Sequence, residues 1–307
     1  MSDGGETIDL VASEPADRLD RWLSERITRL TRAQIQTLIR DGSVTVDGRI
    51  AKPAAKLKGR GERIRIVIPP PPPSELIPDA LPLDVLYEEP SFAVINKPAG
   101  MIVHPGAGVD RGTLANGLLA RYPELAMVKG QRRHGIVHRL DKMTSGVMVV
   151  ARTEMALNAL IKQFAAHTVS KHYIALLESA PKPDAGAIML PIARDPEHRT
   201  RMAVSHSGRP AITHYRVIET FTEGYALVDV RIETGRTHQI RVHFAHMGCP
   251  VVGDTTYGFR KPRLKLGRTF LHAARLAFDH PDDGHRLEFV AALPDELERV
   301  LTRLRAI

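Results

Sequence analysis

The sequence predicts an α+β protein in two parts, a small basic N-terminal module and a larger unit on a mixed, largely antiparallel sheet. Three observations carry this. Apolar spacing changes from helical to alternating within residues 16–68. A proline run then interrupts the chain at 69–73. Beyond it, short alternating segments at hairpin spacing outnumber strand-helix-strand units.

Residues 1–15 are expected to be a flexible N-terminus. From Arg18 to Ile27 the residues Leu19, Trp22, Leu23 and Ile27 recur at helical spacing, with Arg18, Arg21 and Arg26 on other faces. This pattern predicts an amphipathic helix. A second helix starts at an N-cap on Thr31, buries Ile35, Leu38 and Ile39, and stops at Asp41-Gly42. Val44 to Val46 then reads as a strand, Asp47-Gly48 as a turn, and Arg63 to Ile68 as an alternating strand. Residues 69–82 hold seven prolines, five of them consecutive. Residues 69–83 should therefore be a stiff linker packing on neither neighbour. In the larger unit, residues 84–307, strands are expected at Val85 to Tyr87, Phe92 to Asn96, Val147 to Val150, Lys171 to Leu177, Ala226 to Ile232 and Gln239 to His243. Ala156 to Phe164 reads as a helix.

Hydrophobic residues at 43% and charged residues at 25% exclude wholesale disorder. No apolar run approaches the roughly 18 residues of a membrane span. The opening MSDGGETIDL lacks the layout of a signal peptide. The expected location is the cytoplasm, and the single Cys249 excludes an internal disulfide. A net charge of +8 favours a polyanionic partner. The charge is uneven: residues 16–68 carry 13 Lys/Arg against 6 Asp/Glu, whereas 84–307 carry 30 against 23. The module is the more densely basic part, as a nucleic-acid anchor should be.

No phosphate-binding loop, dinucleotide fingerprint or nucleophile elbow is present, so nucleotide cofactors and a hydrolase triad are unsupported. His238, His243, His246 and His272 invite a metal reading. On a strand from Gln239, however, positions 238 and 243 would face opposite sides of the sheet, so no metal is expected. The strongest signal is His138-Arg139-Leu140-Asp141-Lys142-Met143-Thr144-Ser145-Gly146, running into the apolar Val147 to Val150. An aspartate in a polar turn just before a buried strand is held at a cleft edge, and adjacent cations favour its charged form. Such a carboxylate serves as nucleophile or base.

These residues resemble the pseudouridine synthases with an H-R-L-D-x-x-T-S-G motif, which modify large-subunit ribosomal RNA. The likeness extends through INKPAGMIVHPGAG (95–108), KHYIAL (171–176), GRPAITHYR (208–216), ETGRTHQIRVH (233–243), GDTTYG (253–258) and LHAARLAF (271–278). The run LDRWLSE to TRAQIQTLIRDGSVTVDGR is similar to the αL RNA-binding module of a small-subunit ribosomal protein. Met143 and Ser145 depart from the Asp and Thr usual in the nearest branch of the family, which bears on which uridine is modified.

The resemblance implies a central cleft in the larger unit and no cofactor, because one glycosidic bond replaces another. It implies Asp141 as the catalytic residue, Arg236 as the cation paired with it, and Tyr173 stacked on the target uracil and relaying its proton. Arg139, which would enter the RNA where the uridine leaves, Leu271 as an apolar wall, and His138 would contact substrate. His104 and the loop at 106–108 would lie near RNA. In the module, Arg18, Arg29, Arg32, Arg40 and Lys52 would meet phosphates. The expected partner is large-subunit ribosomal RNA, bound by a monomer. Two competing readings are a non-catalytic RNA-binding ribosome-assembly factor and a glycosidase. Intact Asp141, Tyr173 and Arg236 argue against the first. The lack of a second acidic residue in a comparable segment argues against the other.

Overall fold

The computed structural model describes residues 6–27, 30, 32–68, 76–106, 108–126, 128, 134–198, 200–259, 261 and 263–306, with Ala33 as backbone only. Arg29, the Thr31 cap and residue 107 lie outside these. The chain divides into two compact units, one to residue 75 and one from residue 76.

The first unit contains β1 (Glu6–Ala12), β2 (Pro15–Ala16), α1 (Leu19–Arg26), α2 (Arg32–Arg40), β3 (Val44–Val46), β4 (Arg49–Ile50), β5 (Leu57–Lys58) and β6 (Glu62–Ile68). Its main sheet has the order β1-β6-β3-β4 and is antiparallel throughout. Both helices bury one stripe: Leu19, Trp22 and Leu23 from α1 meet Ile35 and Ile39 from α2 over Val44, Ile64 and Ile66. The β3–β4 turn places Asp47 and Gly48 at positive φ (48° and 78°), the geometry of a tight hairpin. The expectation of a flexible N-terminus is corrected for residues 6–12, which pair with β6 from Glu6↔Ile68 to Ala12↔Glu62. Ile8, Leu10 and Ala12 alternate inward against the module's core, and that burial holds the strand.

The second unit contains β7 (Asp84–Glu88), β8 (Phe92–Lys97), α3 (Leu114–Arg121), β9 (Ser145–Ala151), α4 (Glu154–Ala165), β10 (Ser170–Leu177), β11 (Ala185–Ile188), β12 (Ile192–Arg194), β13 (Met202–Val204), β14 (Thr213–Thr220), β15 (Ala226–Ile232), α5 (Gln239–His246), β16 (Leu271–Asp279), β17 (Arg286–Val290) and α6 (Asp295–Arg305). The main sheet runs β11-β14-β15-β10-β16-β9-β8-β7, with β17 also on β16. Only β9 and β16 pair in parallel among the described strands, through His272↔Ser145 and Ala273↔Gly146. Gly146 is required there: its φ is 120°, and an added Cβ would lie 2.2 Å from the Ala273 carbonyl oxygen.

The central strands are buried on both faces. Ile95, Met148 and Val150 pack with Leu114 and Leu118 of α3 on one side. Val94, Val147 and Val149 pack with Leu157 and Leu160 of α4 on the other. Thr113 and Thr153 cap these two helices, accepting from the backbone N–H of Asn116 and Ala156.

Two further expectations are corrected. The later part of the linker does pack: Asn116 donates to the Ile77 carbonyl (2.8 Å), Asp79 donates to that of Asn116 (3.1 Å), and Leu76 and Leu83 lie on the core. Leucines interspersed among the later prolines supply apolar area that a bare polyproline stretch lacks. Gln239–His246 is a helix where a strand was expected, because every residue from Gln239 to Phe244 is buried and the helical period is hidden. No described helix is long and apolar enough to cross a membrane.

Candidate active site

One cleft of about 760 Å³ opens on the second unit's sheet. Its lining comes from the turn before β9, the end of α4, β10, the end of β15, the loop into α5, and the start of β16. Asp141, Tyr173, Arg139, His138, Arg236 and Leu271 all contribute to it.

Asp141 sits where the motif predicts, in the turn entering β9. Its carbonyl accepts from Thr144 N–H (3.1 Å). The carbonyl of the next residue, Lys142, is fixed from two directions, by Gly100 N–H (2.8 Å) and by Lys97 Nζ (3.3 Å). Lys97 is fully buried, and its ammonium also donates to the carbonyls of Pro98 (2.7 Å) and Met101 (2.9 Å). Burial, reinforced by Arg268, pushes its pKa down to about 7 against the attraction of Asp141. The lysine of the INKPAG segment thus ties that loop to the Asp141 turn.

The cation paired with Asp141 is Arg241. Its Nη1 donates to Asp141 Oδ2 at 3.0 Å, while Nε and Nη2 form a fork on Asp254 at 2.6 and 2.9 Å. Burial works against this guanidinium's charge, but the bonds to Asp254 outweigh it and hold its pKa above the ordinary value. Asp254 is also buried, and its Oδ1 accepts from Thr256 and Tyr257 N–H (2.9 and 3.0 Å). Burial would raise its pKa, yet Arg241 holds it low. Gly253, at φ 73°, lets the chain enter this turn where a Cβ would lie 2.1 Å from the Arg268 carbonyl oxygen. Oδ1 of Asp141 accepts no hydrogen bond among the described residues. It lies 3.9 Å from Nε2 of His238, whose Nδ1 contacts the Tyr257 hydroxyl at 2.8 Å. The outcome is a carboxylate with one oxygen clamped and the other open to the cleft.

Tyr173 lies at an irregularity: the pairing of β10 with β16 slips between His172 and Ile174. A slip of this kind re-aims a side chain, and here the phenol lines the cleft. Burial first, and then the Asp141 charge, raise its pKa, so it remains a neutral phenol. Leu271 lines the same cleft from the start of β16. His138 accepts from Val149 N–H (3.1 Å) through Nε2 and stacks on Phe164 at 4.7 Å. Burial, with Lys171 nearby, pushes its pKa down to about 3, so the ring is neutral. Arg139 is exposed and has no ion pair among the described residues.

A family profile described as RNA pseudouridylate synthase matches residues 91–246, and one described as S4 domain matches 17–64. An RNA pseudouridine synthase of Chloroflexus aurantiacus is 51% identical over 293 residues, 95% of this chain and 92% of that one. The chain belongs to the RNA pseudouridine synthases. A ribosomal large subunit pseudouridine synthase D of Xanthomonas campestris is 43% identical over 300 residues, covering 94% of this chain and 89% of its own. The solved structure of human RNA pseudouridylate synthase domain containing 4 superposes with a TM-score of 0.58 at 28% identity, over 72% of this chain and 93% of that one.

In this synthase the expected pairing of Arg236 with Asp141 is therefore corrected. Arg236 Nε donates to the Pro210 carbonyl (3.0 Å), and the Asp141 contact belongs to Arg241, five residues further along. Once the chain turns at His238 (φ 58°) into α5, position 241 points at the Asp141 turn. Arg241 and Asp254 lie inside the ETGRTHQIRVH and GDTTYG segments, where the sequence alone assigns them no role. Their signal was an arginine and an aspartate embedded in otherwise apolar or turn-forming surroundings. Gln239 was missed too: it gathers Thr234, Arg236 N–H, Ile212 and Thr213 through bonds of 2.8–3.0 Å and so sets the loop before α5.

Of the predicted phosphate contacts in the S4 domain, Arg18 and Arg32 are held by Asp20. This buried carboxylate accepts from Arg18 Nε (3.0 Å), Arg32 Nε (3.1 Å) and Gln36 (2.6 Å). Both guanidiniums are still half-exposed. Arg40 and Lys52 are exposed. His104 and Gly106 lie outside the cleft lining. Of the histidines weighed for a metal, His243 contacts Thr213 and Leu190, and His272 contacts Ser145 and Ala291. The described side chains close enough to share an ion instead surround the β16–β17 turn, as His280, Asp283 and His285 or as Glu89, His280 and Asp282, and His280 already pairs with Asp283 and Glu89.

Proposed function

We propose that this synthase isomerises uridines of large-subunit ribosomal RNA with Asp141 as nucleophile and without a cofactor. The observation that carries the reading is the half-clamped Asp141 carboxylate in a cleft lined by Tyr173 and Leu271. The pseudouridine synthase D of Xanthomonas campestris, similar over nearly all of both chains, supports the choice of RNA.

The unengaged oxygen of Asp141 attacks the target nucleoside as the N1 glycosidic bond breaks. The freed uracil turns and its C5 attacks the sugar C1′, displacing the Asp141 carboxylate; C5 then loses its proton while N1 gains one. Atoms balance without a second reactant. Tyr173 offers an aromatic face, which tolerates a rotating base better than fixed hydrogen bonds would. A neutral phenol suits that role and does not suit a general base. Arg139, exposed beside the cleft, would fill the space the uridine leaves. The S4 domain would grip RNA phosphates through Arg18, Arg32, Arg40 and Lys52. The enzyme would act as a cytoplasmic monomer.

Asp141→Asn tests the reading on large-subunit ribosomal RNA from cells lacking the protein. Wild type restores specific pseudouridines; the variant restores none while binding RNA with near-normal affinity. Normal turnover by the variant would remove Asp141 from the chemistry.

A further inference from the structure

Three cations on the cleft wall have no part in the chemistry above. Arg236 is freed from the Asp141 role and is anchored through Nε alone, on the Pro210 carbonyl. Its neighbour across that proline, Arg209, is exposed and has no side-chain partner among the described residues. The Arg209 backbone is nevertheless fixed, exchanging 2.9 Å bonds with Ile192 in both directions. Gly208 lies so near Ile192 that a Cβ would come within 2.5 Å of its backbone. Lys171 is buried at the base of this wall and donates once, to the Glu233 carbonyl at 2.8 Å.

We propose that Lys171, Arg209 and Arg236 form a subsite for a backbone phosphate of the RNA, beside the place of the target base. This rests on the reading that the cleft receives an RNA nucleotide. A uracil is neutral and gives three cations nothing to compensate, whereas a phosphodiester presents one negative charge shared over two oxygens to a guanidinium fork. The nearby carboxylates offset these cations only in part, Glu233 favouring the charged form of Lys171. Asp141 is held by Arg241, and Glu233 Oε1 takes His214 at 2.7 Å and Arg231 at 3.6 Å. The cations also disfavour one another. Burial and then Arg209 lower the Arg236 pKa, and burial and then Arg236 push Lys171 down to about 8. A bound anion would offset the repulsion between them.

The test uses the full chain, a transcript of large-subunit ribosomal RNA, and the double variant Arg209→Gln/Arg236→Gln. Arg299→Gln/Arg303→Gln, on the exposed face of α6, is the charge-matched control. For the cleft pair, affinity should fall about tenfold or more, and the slope of log K against log salt should flatten by roughly 0.7, one phosphate charge on a single strand. KM for pseudouridine formation should rise while kcat holds, and the control pair should leave all three unchanged. Equal changes in both pairs, or a collapse of kcat at constant KM, would overturn the subsite. Absence of pseudouridine formation by wild type, with the salt slope still responding to the cleft pair alone, would count against the function and uphold the subsite.

Discussion

Asp254→Asn keeps the shape of a buried side chain and removes its charge. Oδ1 already accepts from Thr256 and Tyr257 N–H. Those two bonds fix which end of the amide stays an oxygen, so the new NH2 faces Arg241 Nε, 2.6 Å from the present Oδ2. Two donors then oppose each other in a site closed to water. The lost charge-assisted bond is worth about 1.5–3 kcal/mol, and the stranded donors add about 1–3. The two ranges sum to about 2.5–6 kcal/mol, and a conservative value of about 3 sits at the lower end of the roughly 3–5 expected when one partner of a buried ion pair is removed. For a unit of this size that corresponds to a melting temperature lower by about 6–12 °C. Arg241, repelled by the amide, no longer holds Asp141 at one position, and a displacement on the order of 1 Å costs about a hundredfold in rate. Thermal melting and single-turnover pseudouridine formation read the two effects. A melting temperature within about 1 °C of wild type and an unchanged rate would refute the claim that Asp254 fixes the pair.

Other substitutions separate the remaining roles. Arg241→Gln should lower kcat by about a hundredfold, whereas Arg236→Gln should raise KM and spare kcat; steady-state kinetics distinguish them. His138 stays neutral in the fold, so an unfolded chain takes up a proton below its ordinary pKa that the folded chain refuses. Its contribution to stability is complete above about pH 6.5 and shrinks as pH falls toward about 3. Melting curves at pH 7.5 and 5 should therefore show a smaller acid loss for His138→Gln than for wild type. Asp20→Ala leaves Arg18, Arg32 and Gln36 without their shared acceptor, so protease cleavage of the full chain should begin within residues 16–68 while the synthase unit survives.

The sequence disclosed those parts of the site whose local pattern matched their surroundings. Asp141 stands before an unbroken apolar strand, and Ala156 to Phe164 follows one helical period. Both were legible because one period dominates each segment. Arg241 was not, for a definite reason: Ile240, Val242 and Phe244 alternate as they would in a strand, yet they belong to a helix buried on all sides. With that period hidden, nothing in the chain separates position 236 from position 241. The β1 strand was missed because its partner, β6, lies more than fifty residues downstream. The engagement of Arg32 by Asp20 was hidden as well, since it depends on α1 and α2 being packed together.

The parallel contact between β9 and β16 has a kinetic meaning. Two strands running the same way cannot be joined by a tight turn, and here everything from α4 through α5 forms the connection between them. Tyr173, Arg236 and Arg241 all lie on that one excursion, whereas Asp141 and Leu271 lie at its two ends. Contacts so distant along the chain must await loop closure, which slows folding. The Asp141–Arg241 contact, one hundred residues apart in sequence, thus belongs to the slow, non-local part of folding, and a chain that ends before α5 carries the motif without it.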